Sequence, residues 1–346
     1  MKKIIISRVG GIGDVVMTTA IVLALKEKYP KSKLIYIVKK NAEQALERIE
    51  AIDEVLVYDK SFKNSLEIIK KIWCADLFFL VDTTYRLAVL GALAFAKKRV
   101  GLAHKRKFWL TKSVNWEKWM DYRYDPELSA YILFKTTGIQ VNTTNVWNKL
   151  TFSDANETEC SLVRKKFAAQ KIKIEEPYIV FSLYTAAKAK DWPEEKWVEL
   201  WKRLEKKYPN IPIILLGDRK SNFEFTANVK DFSGATSLIE TGYIIKKSIL
   251  VINSCSLPMH IARAFKVPTI GLYGPNPVEK GAPPENFFSH VTSAKCAPCE
   301  GYYSGACEQP YCMELISVEE VELKLLEFLE VVLKTAVVSR DNNCKN

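Results

Sequence analysis

The sequence predicts an α/β protein built from two Rossmann-like, doubly wound parallel-sheet domains facing a central cleft. Three observations carry that expectation. Strand-like and helix-like patterns alternate from the first residue, which is the grammar of βαβ units. The same alternation restarts after about residue 175. A phrase is also repeated: LKEKYPKSKLIYIV (25–38) and LEKKYPNIPIILLG (204–217) both read helix, Tyr-Pro stop, strand. A chain of 346 residues is long for one core and comfortable for two.

The elements follow in order. KKIIIS is an apolar run suited to a parallel strand buried on both faces, and DVVMTTAIVLALKEKYP is a helix with Asp14 near its start. LIYIV (34–38) is the next strand, AEQALERI the next helix and VLVYD a further strand. ADLFFLVD (75–82) is another buried strand, followed by the apolar helix LAVLGALAFAKK. The polar stretch within residues 152–176 marks the join, so residues 1–165 and 166–336 are read as the two domains. In the second half, PYIVFSLY is a strand and PEEKWVELWKRLEKKYP a helix opened by Pro193, with Trp197, Leu200, Trp201 and Leu204 on one face. IPIILLGD, SILVINS and VPTIGLYG are strands, and MHIARAF is a short helix. The helix VEEVELKLLEFLEVVLKTA precedes a polar tail, 337–346, read as frayed.

Composition sets the limits. With 48% hydrophobic and 26% charged residues the chain folds rather than staying disordered. No run approaches the roughly 18–20 apolar residues that span a bilayer. The apolar patch after MKK is too short for a signal peptide, so a cytoplasmic protein is expected. Lys and Arg outnumber Asp and Glu by 51 to 40, a net charge of +11 that favours an anionic partner and also fits a merely solvated basic surface. The segment KKRVGLAHKRKFWLTKSVNWEKWMDYRY (97–124) interleaves bases with Trp109, Trp116 and Trp119, which suits anionic lipid headgroups at a membrane interface. No nucleic-acid-binding motif accompanies the charge, and no nucleic-acid partner is expected.

Three loops at strand ends carry candidate chemistry. SRVGGIGDVV bunches Gly10, Gly11 and Gly13 ahead of Asp14, unlike the G-x-G-x-x-G spacing of a dinucleotide site. A carboxylate at a helix start is often a cap; the glycines bring backbone close and leave Asp14 accessible as a general base. TAAKAKDWPEEKW, from Thr185, sets Lys188 and Lys190 before a helix start, a phosphate site by charge and free N–H groups together, or simply two solvated lysines. NSCSLPMHIARAFKVPTIGLYGPNP, from Asn253, reads as an anion cradle entering a helix; His260 alone reads as a packed helix residue, and with only three histidines a histidine metal cluster is not expected. CAPCEGYYSGACEQPYC spaces Cys296, Cys299, Cys307 and Cys312 as C-x2-C-x7-C-x4-C, which can close a structural zinc or iron site, carry two disulfides or remain free thiols.

RVGGIGDVVMTTAIVLALK, KDWPEEKW and PMHIARAFKVPTIGLYGPNP, in that order, resemble glycosyltransferase family 9, whose best-known members are ADP-heptose:lipopolysaccharide heptosyltransferases. Weaker echoes in ADLFFLVDTTYRLAVL and KKRVGL extend the resemblance over roughly residues 3–325. The resemblance implies a GT-B fold, with acceptor bound by the first domain and nucleotide-sugar by the second. It implies inverting transfer of heptose from ADP-heptose to the lipid A–Kdo inner core, with no cofactor required for catalysis. In this sequence Asp14 matches the base and Lys190 a lysine that neutralises the departing diphosphate. Thr185, Lys188, Asn253, Cys255, Ser256, His260 and Gly274 fall on the donor segments, and Gly10, Gly11, Gly13 and Arg86 on the acceptor segments. An anionic glycolipid acceptor places the protein peripherally on the inner face of the cytoplasmic membrane. One departure stands out. Relatives read Asp-Ser/Thr-Gly where this chain reads Cys255-Ser256-Leu257, so a carboxylate for donor hydroxyls is missing. A different nucleotide-sugar donor, or a non-catalytic sugar-nucleotide or glycolipid binder, is the alternative that this departure raises.

Overall fold

A computed structural model describes residues 1–141, 149–220, 223–281, 287–299 and 311–343. The chain forms two compact units, Met1–Asp154 and Ala155–Asn346.

The first unit runs β1 (Lys3–Ser7), α1 (Ile12–Lys28), β2 (Lys33–Val38), β3 (Glu54–Val57), α2 (Phe62–Ile72), β4 (Leu77–Leu80), α3 (Tyr85–Leu93), β5 (Arg99–Leu102), β6 (Lys112–Val114) and α4 (Asp125–Thr137). Its sheet has the order β3-β2-β1-β4-β5-β6 and every pairing is parallel. The apolar runs explain this: a parallel strand is covered on both faces, so consecutive residues are buried. Ile5 lies opposite Ile35 and Phe78 in the ladder. With Ile37 and Leu80 they face Ile68 and Ile72 of α2 and Leu87 and Leu90 of α3 in one cluster. Tyr36, pointing the other way, donates its hydroxyl to the Val15 carbonyl of α1 at 3.1 Å.

Two local expectations are corrected. AEQALERI yields a 3-10 stretch, Lys40–Ala45, in place of an α-helix, with Ala42 and Ala45 buried three residues apart, as 3-10 geometry aligns them. The helix expected over LAVLGALAFAKK starts earlier, at Tyr85, and ends at Leu93, because Phe95 turns the chain out with a left-handed φ of 51°.

The second unit runs α5 (Glu157–Ala169), β7 (Ile179–Ser182), α6 (Glu194–Lys207), β8 (Ile213–Leu215), β9 (Val229–Asp231), α7 (Leu238–Lys247), β10 (Leu250–Ser254), α8 (Leu257–Ala264), β11 (Thr269–Tyr273), α9 (Val278–Gly281), β12 (Phe287–Val291) and α10 (Val318–Asn343). Capping boxes start two of the helices, Asn156 with Glu159 for α5 and Ser237 with Glu240 for α7. Trp197, Leu200, Trp201 and Leu204 are all buried, against strand residues Phe181, Leu215 and Ile252 and against Val321, Leu325 and Leu329 of α10.

The order β12-β11-β10-β7-β8-β9 repeats that of the first sheet once the strands are counted from β7. In both units the chain therefore reverses its direction of strand addition beside the first strand: between β1 and β4, and between β7 and β10. Ligands of open parallel sheets sit at the carboxyl ends of the strands at that reversal.

Candidate active site residues in the two units

In the first unit the reversal is occupied by the loop after β1. Asp14 is the third residue of α1, and its Oδ2 accepts the Gly11 N–H at 3.0 Å, so the carboxylate caps its own helix as well as facing outward with 40% of its side chain exposed. The glycines have a steric reason. A Cβ on Gly10 would lie 2.7 Å from Asp14 Oδ2, whereas one on Gly11 would sit at an ordinary 3.5 Å. Gly13 follows as the second residue of α1.

Three side chains that the sequence did not single out organise this loop. Asp82, just past β4, accepts the Val9 N–H at 3.0 Å and the Thr84 N–H at 2.7 Å, tying the β1 loop to the β4 loop across the reversal. Arg8 donates from Nη2 to Asp125 Oδ2 at 2.8 Å and lies 3.3 Å from Asp14 Oδ1. Burial alone lowers the Arg8 pKa; Asp125, then Asp14 and Asp82, outweigh it and hold the guanidinium above its ordinary value. Arg106 is fully buried and donates to the carbonyls of Leu102, Leu80 and Thr84 at 3.0, 3.2 and 3.4 Å. Burial lowers its pKa to about 10. Arg86 is exposed on the first turn of α3, and its charge opposes the rise that burial imposes on the Tyr58 phenol. The Tyr58 hydroxyl is buried and has no hydrogen-bond partner among the described residues.

In the second unit the reversal is bridged directly. Lys190 Nζ, in the turn after β7, donates to the Cys255 carbonyl after β10 at 3.1 Å. Lys188 is exposed in the same 3-10 turn. Thr185 is clamped on both sides: its N–H reaches Asp191 Oδ1 at 2.7 Å and its carbonyl accepts Arg219 Nη2 at 2.9 Å. Arg219 also pairs with Asp191 at 2.8 Å and lies over the Tyr184 ring, 4.6 Å from its centre. Asn253 is fully buried; its Nδ2 donates to the Ser254 carbonyl at 2.7 Å and Ser256 Oγ at 3.2 Å, while its Oδ1 and the Ser254 hydroxyl have no partner among the described residues. Ser256 caps α8 by backbone alone, with Pro258 in the first turn. His260 is buried on α8, in keeping with a packed helix residue. The Cys255 thiol is 3.6 Å from Asn276 Nδ2.

Gly274 is small because Met313 and Cys312 fill its flank: a Cβ there would meet Cys312 Sγ at 2.9 Å. Cys299 donates its N–H to the Pro275 carbonyl at 2.8 Å, so both cysteines abut the Gly274–Pro275 turn. Cys296 is exposed, and Cys307 lies outside the described residues. Among the described residues no group of three or more His, Cys, Asp or Glu side chains is arranged to hold a metal ion, and no helix is long and apolar enough to cross a membrane.

Thus Gly10, Gly11 and Asp14 come together in the first unit, and Lys190, Asn253, Cys255 and Ser256 in the second. Arg8, Asp82, Asp125, Asp191 and Arg219 were missed. The available signal was a charged residue placed directly at the end of an apolar strand run, as Arg8 follows IIIS and Asp82 follows LFFLV.

A family model of glycosyltransferase family 9 (heptosyltransferase) matches residues 73–305. The lipopolysaccharide core heptosyltransferase OpsX of Haemophilus influenzae is 25% identical over 305 residues, covering 84% of each chain. A family 9 glycosyltransferase crystal structure from Veillonella parvula overlays with a TM-score of 0.79 at 19% identity, over 96% of this chain and 98% of that one. Escherichia coli ADP-heptose LPS heptosyltransferase II overlays with a TM-score of 0.72 at 18% identity, over 97% and 99%. The overlays give the chain the GT-B fold expected of it. With two parallel-sheet units of one strand order and a family match over most of its length, the chain belongs to glycosyltransferase family 9, the heptosyltransferases.

Proposed function

We propose that this glycosyltransferase moves heptose from ADP-heptose to the inner core of lipopolysaccharide, with inversion at the anomeric carbon. The observation that carries the reading is the accessible Asp14 carboxylate, held by the Gly11 N–H at 3.0 Å on a loop where a Cβ at Gly10 would crowd it. Asp14 takes the proton of an acceptor hydroxyl as that oxygen bonds to the anomeric carbon. The bond from the anomeric carbon to the diphosphate breaks, and its electron pair leaves with ADP. Lys190 and the positive end of the α8 dipole offset the charge that develops there. Acceptor contacts fall to Gly10, Gly11, Gly13 and Arg86, donor contacts to Thr185, Lys188, Asn253, Ser256 and His260.

The test is heptose transfer from ADP-heptose to a lipid A–Kdo acceptor, followed by mass spectrometry. Asp14→Ala abolishes turnover while ADP-heptose still raises the melting temperature. Wild-type turnover in that variant sinks the assignment of Asp14 as base.

Cys255 supports a second reading, a different nucleotide-sugar donor, because a thiol near Asn276 cannot accept sugar hydroxyls as a carboxylate does. A melting-temperature panel of ADP-, UDP-, GDP- and CDP-sugars separates the two readings; stabilisation by a non-adenine nucleotide favours the second. A structural zinc or iron on Cys296, Cys299, Cys307 and Cys312 rests on their spacing alone, since the described Cys296, Cys299 and Cys312 are not grouped to hold a metal ion. One metal per chain, lost in Cys312→Ser, is the expected assay result.

The anionic acceptor and the exposed Phe108, Trp116 and Trp119 among lysines support docking on the inner face of the cytoplasmic membrane. Sedimentation with vesicles containing phosphatidylglycerol, weakened by salt, is the measurement for that surface.

A further inference from the structure

The geometry points to Asp125 as a positioning residue that acts on Asp14 through Arg8; the inference rests on Asp14 being the base.

Arg8 stands between two carboxylates at unequal distances. Its Nη2 makes a charge-assisted hydrogen bond to Asp125 Oδ2 at 2.8 Å and a looser 3.3 Å ion contact with Asp14 Oδ1. Only 8% of the Asp125 side chain and 15% of that of Arg8 are exposed, against 40% for Asp14. The inner pair is therefore the desolvated one, where geometry and charge matter most, and the outer contact reaches a carboxylate that water can also solvate.

This division has a chemical consequence. A lone buried guanidinium beside Asp14 would swing fully onto it, stabilise the carboxylate and make it a weaker base. Asp125 engages the donor first and takes up most of the cation's charge. It leaves Arg8 close enough to fix the Asp14 rotamer, with Gly11 N–H on the other oxygen. Asp125 is the first residue of α4, so its carboxylate is anchored at a helix N-terminus rather than on a mobile loop. Asp82, Tyr36 and Tyr58 are the other titratable groups whose burial or charge bears on this cluster.

The experiment is the pH dependence of kcat/KM for wild type, Asp125→Asn, Asp125→Glu, Arg8→Lys and Asp14→Asn, with ADP-heptose and a lipid A–Kdo acceptor. In Asp125→Asn the freed guanidinium binds Asp14, so the acid limb moves to lower pH by about one unit and kcat falls about 10–100-fold. The KM for ADP-heptose stays unchanged, and Asp125→Glu restores the wild-type limb. Arg8→Lys, whose ammonium stands one atom short of the Nη2 that meets both carboxylates, loosens the Asp14 contact and moves the limb in the opposite direction. An acid limb that stays in place in both Asp125→Asn and Arg8→Lys, with Asp14→Asn inactive, overturns the coupling and leaves Asp14 as base. Full turnover in Asp14→Asn overturns the base assignment and this inference with it. Should Asp125→Asn not fold, the Asp125→Glu and Arg8→Lys profiles decide the matter alone.

Discussion

Lys190 and Cys255, 65 positions apart, meet where the second sheet reverses its strand order: the lysine ammonium donates to the cysteine carbonyl at 3.1 Å. The contact fixes a cation between the ends of β7 and β10, at the entrance to α8. A charge held there acts on a leaving diphosphate without first having to be ordered. Lys190→Ala lowers kcat about 100–1000-fold with a smaller rise in donor KM, as measured by steady-state transfer kinetics. A change confined to KM would make the lysine a binding residue only.

Gly10→Ala and Gly11→Ala form a matched pair. The Cβ in the first would sit 2.7 Å from Asp14 Oδ2 and push the carboxylate aside; in the second it rests at 3.5 Å. Neither position has a left-handed φ, so backbone strain is not at issue. Turnover falls about 10–100-fold in Gly10→Ala and changes little in Gly11→Ala, with both melting near wild type.

Arg106→Met strips one buried and two half-buried carbonyls of their donor at once. Unfolding in urea should report a loss of about 3 kcal/mol or more, since each unsatisfied buried acceptor costs roughly 1–3 kcal/mol. Activity at low temperature should fall as well, because the Leu80 and Thr84 carbonyls flank Asp82.

Asp76 gives the chain an acid-sensitive clasp. Lys97 and the N–H groups of Lys2 and Lys3 bind its carboxylate, and these contacts, the Lys97 hydrogen bond first, hold its pKa well below the usual range. A depressed folded pKa means stability that is complete above the unfolded value near 4 and is lost as pH falls below it. Asp76→Asn should cost about 1–3 kcal/mol at pH 7, and the gap to wild type should narrow steadily as pH falls below about 4 in denaturation series.

How far the sequence reaches depends on the range of the interaction. Strands such as KIIIS and LFFL announce themselves because a doubly covered parallel strand must be apolar throughout. The α6 stripe of Trp197, Leu200, Trp201 and Leu204 is equally plain, being periodic. AEQALERI misleads because eight residues hold too few turns to distinguish an α-helix from a 3-10 one. Glycines around Asp14 are local and legible; Arg8 with Asp125 is not, because 117 residues separate them and no periodicity links a strand end to a distant helix start. In the clamp on Thr185 the Arg219 contact is hidden in the same way, 34 residues on, whereas Asp191 is only six residues away.

The central place of β1 also has a consequence for synthesis. Ile4, Ile5 and Ile6 leave the ribosome well before Leu77–Leu80, and one flank of their strand stays open until that strand arrives. At 5–20 residues per second that interval lasts roughly 4–14 seconds, during which an aliphatic edge has no permanent neighbour. A nascent chain of this design depends on chaperones, or on early collapse of α1 over β1 and β2, to keep its first strand from pairing with another polypeptide.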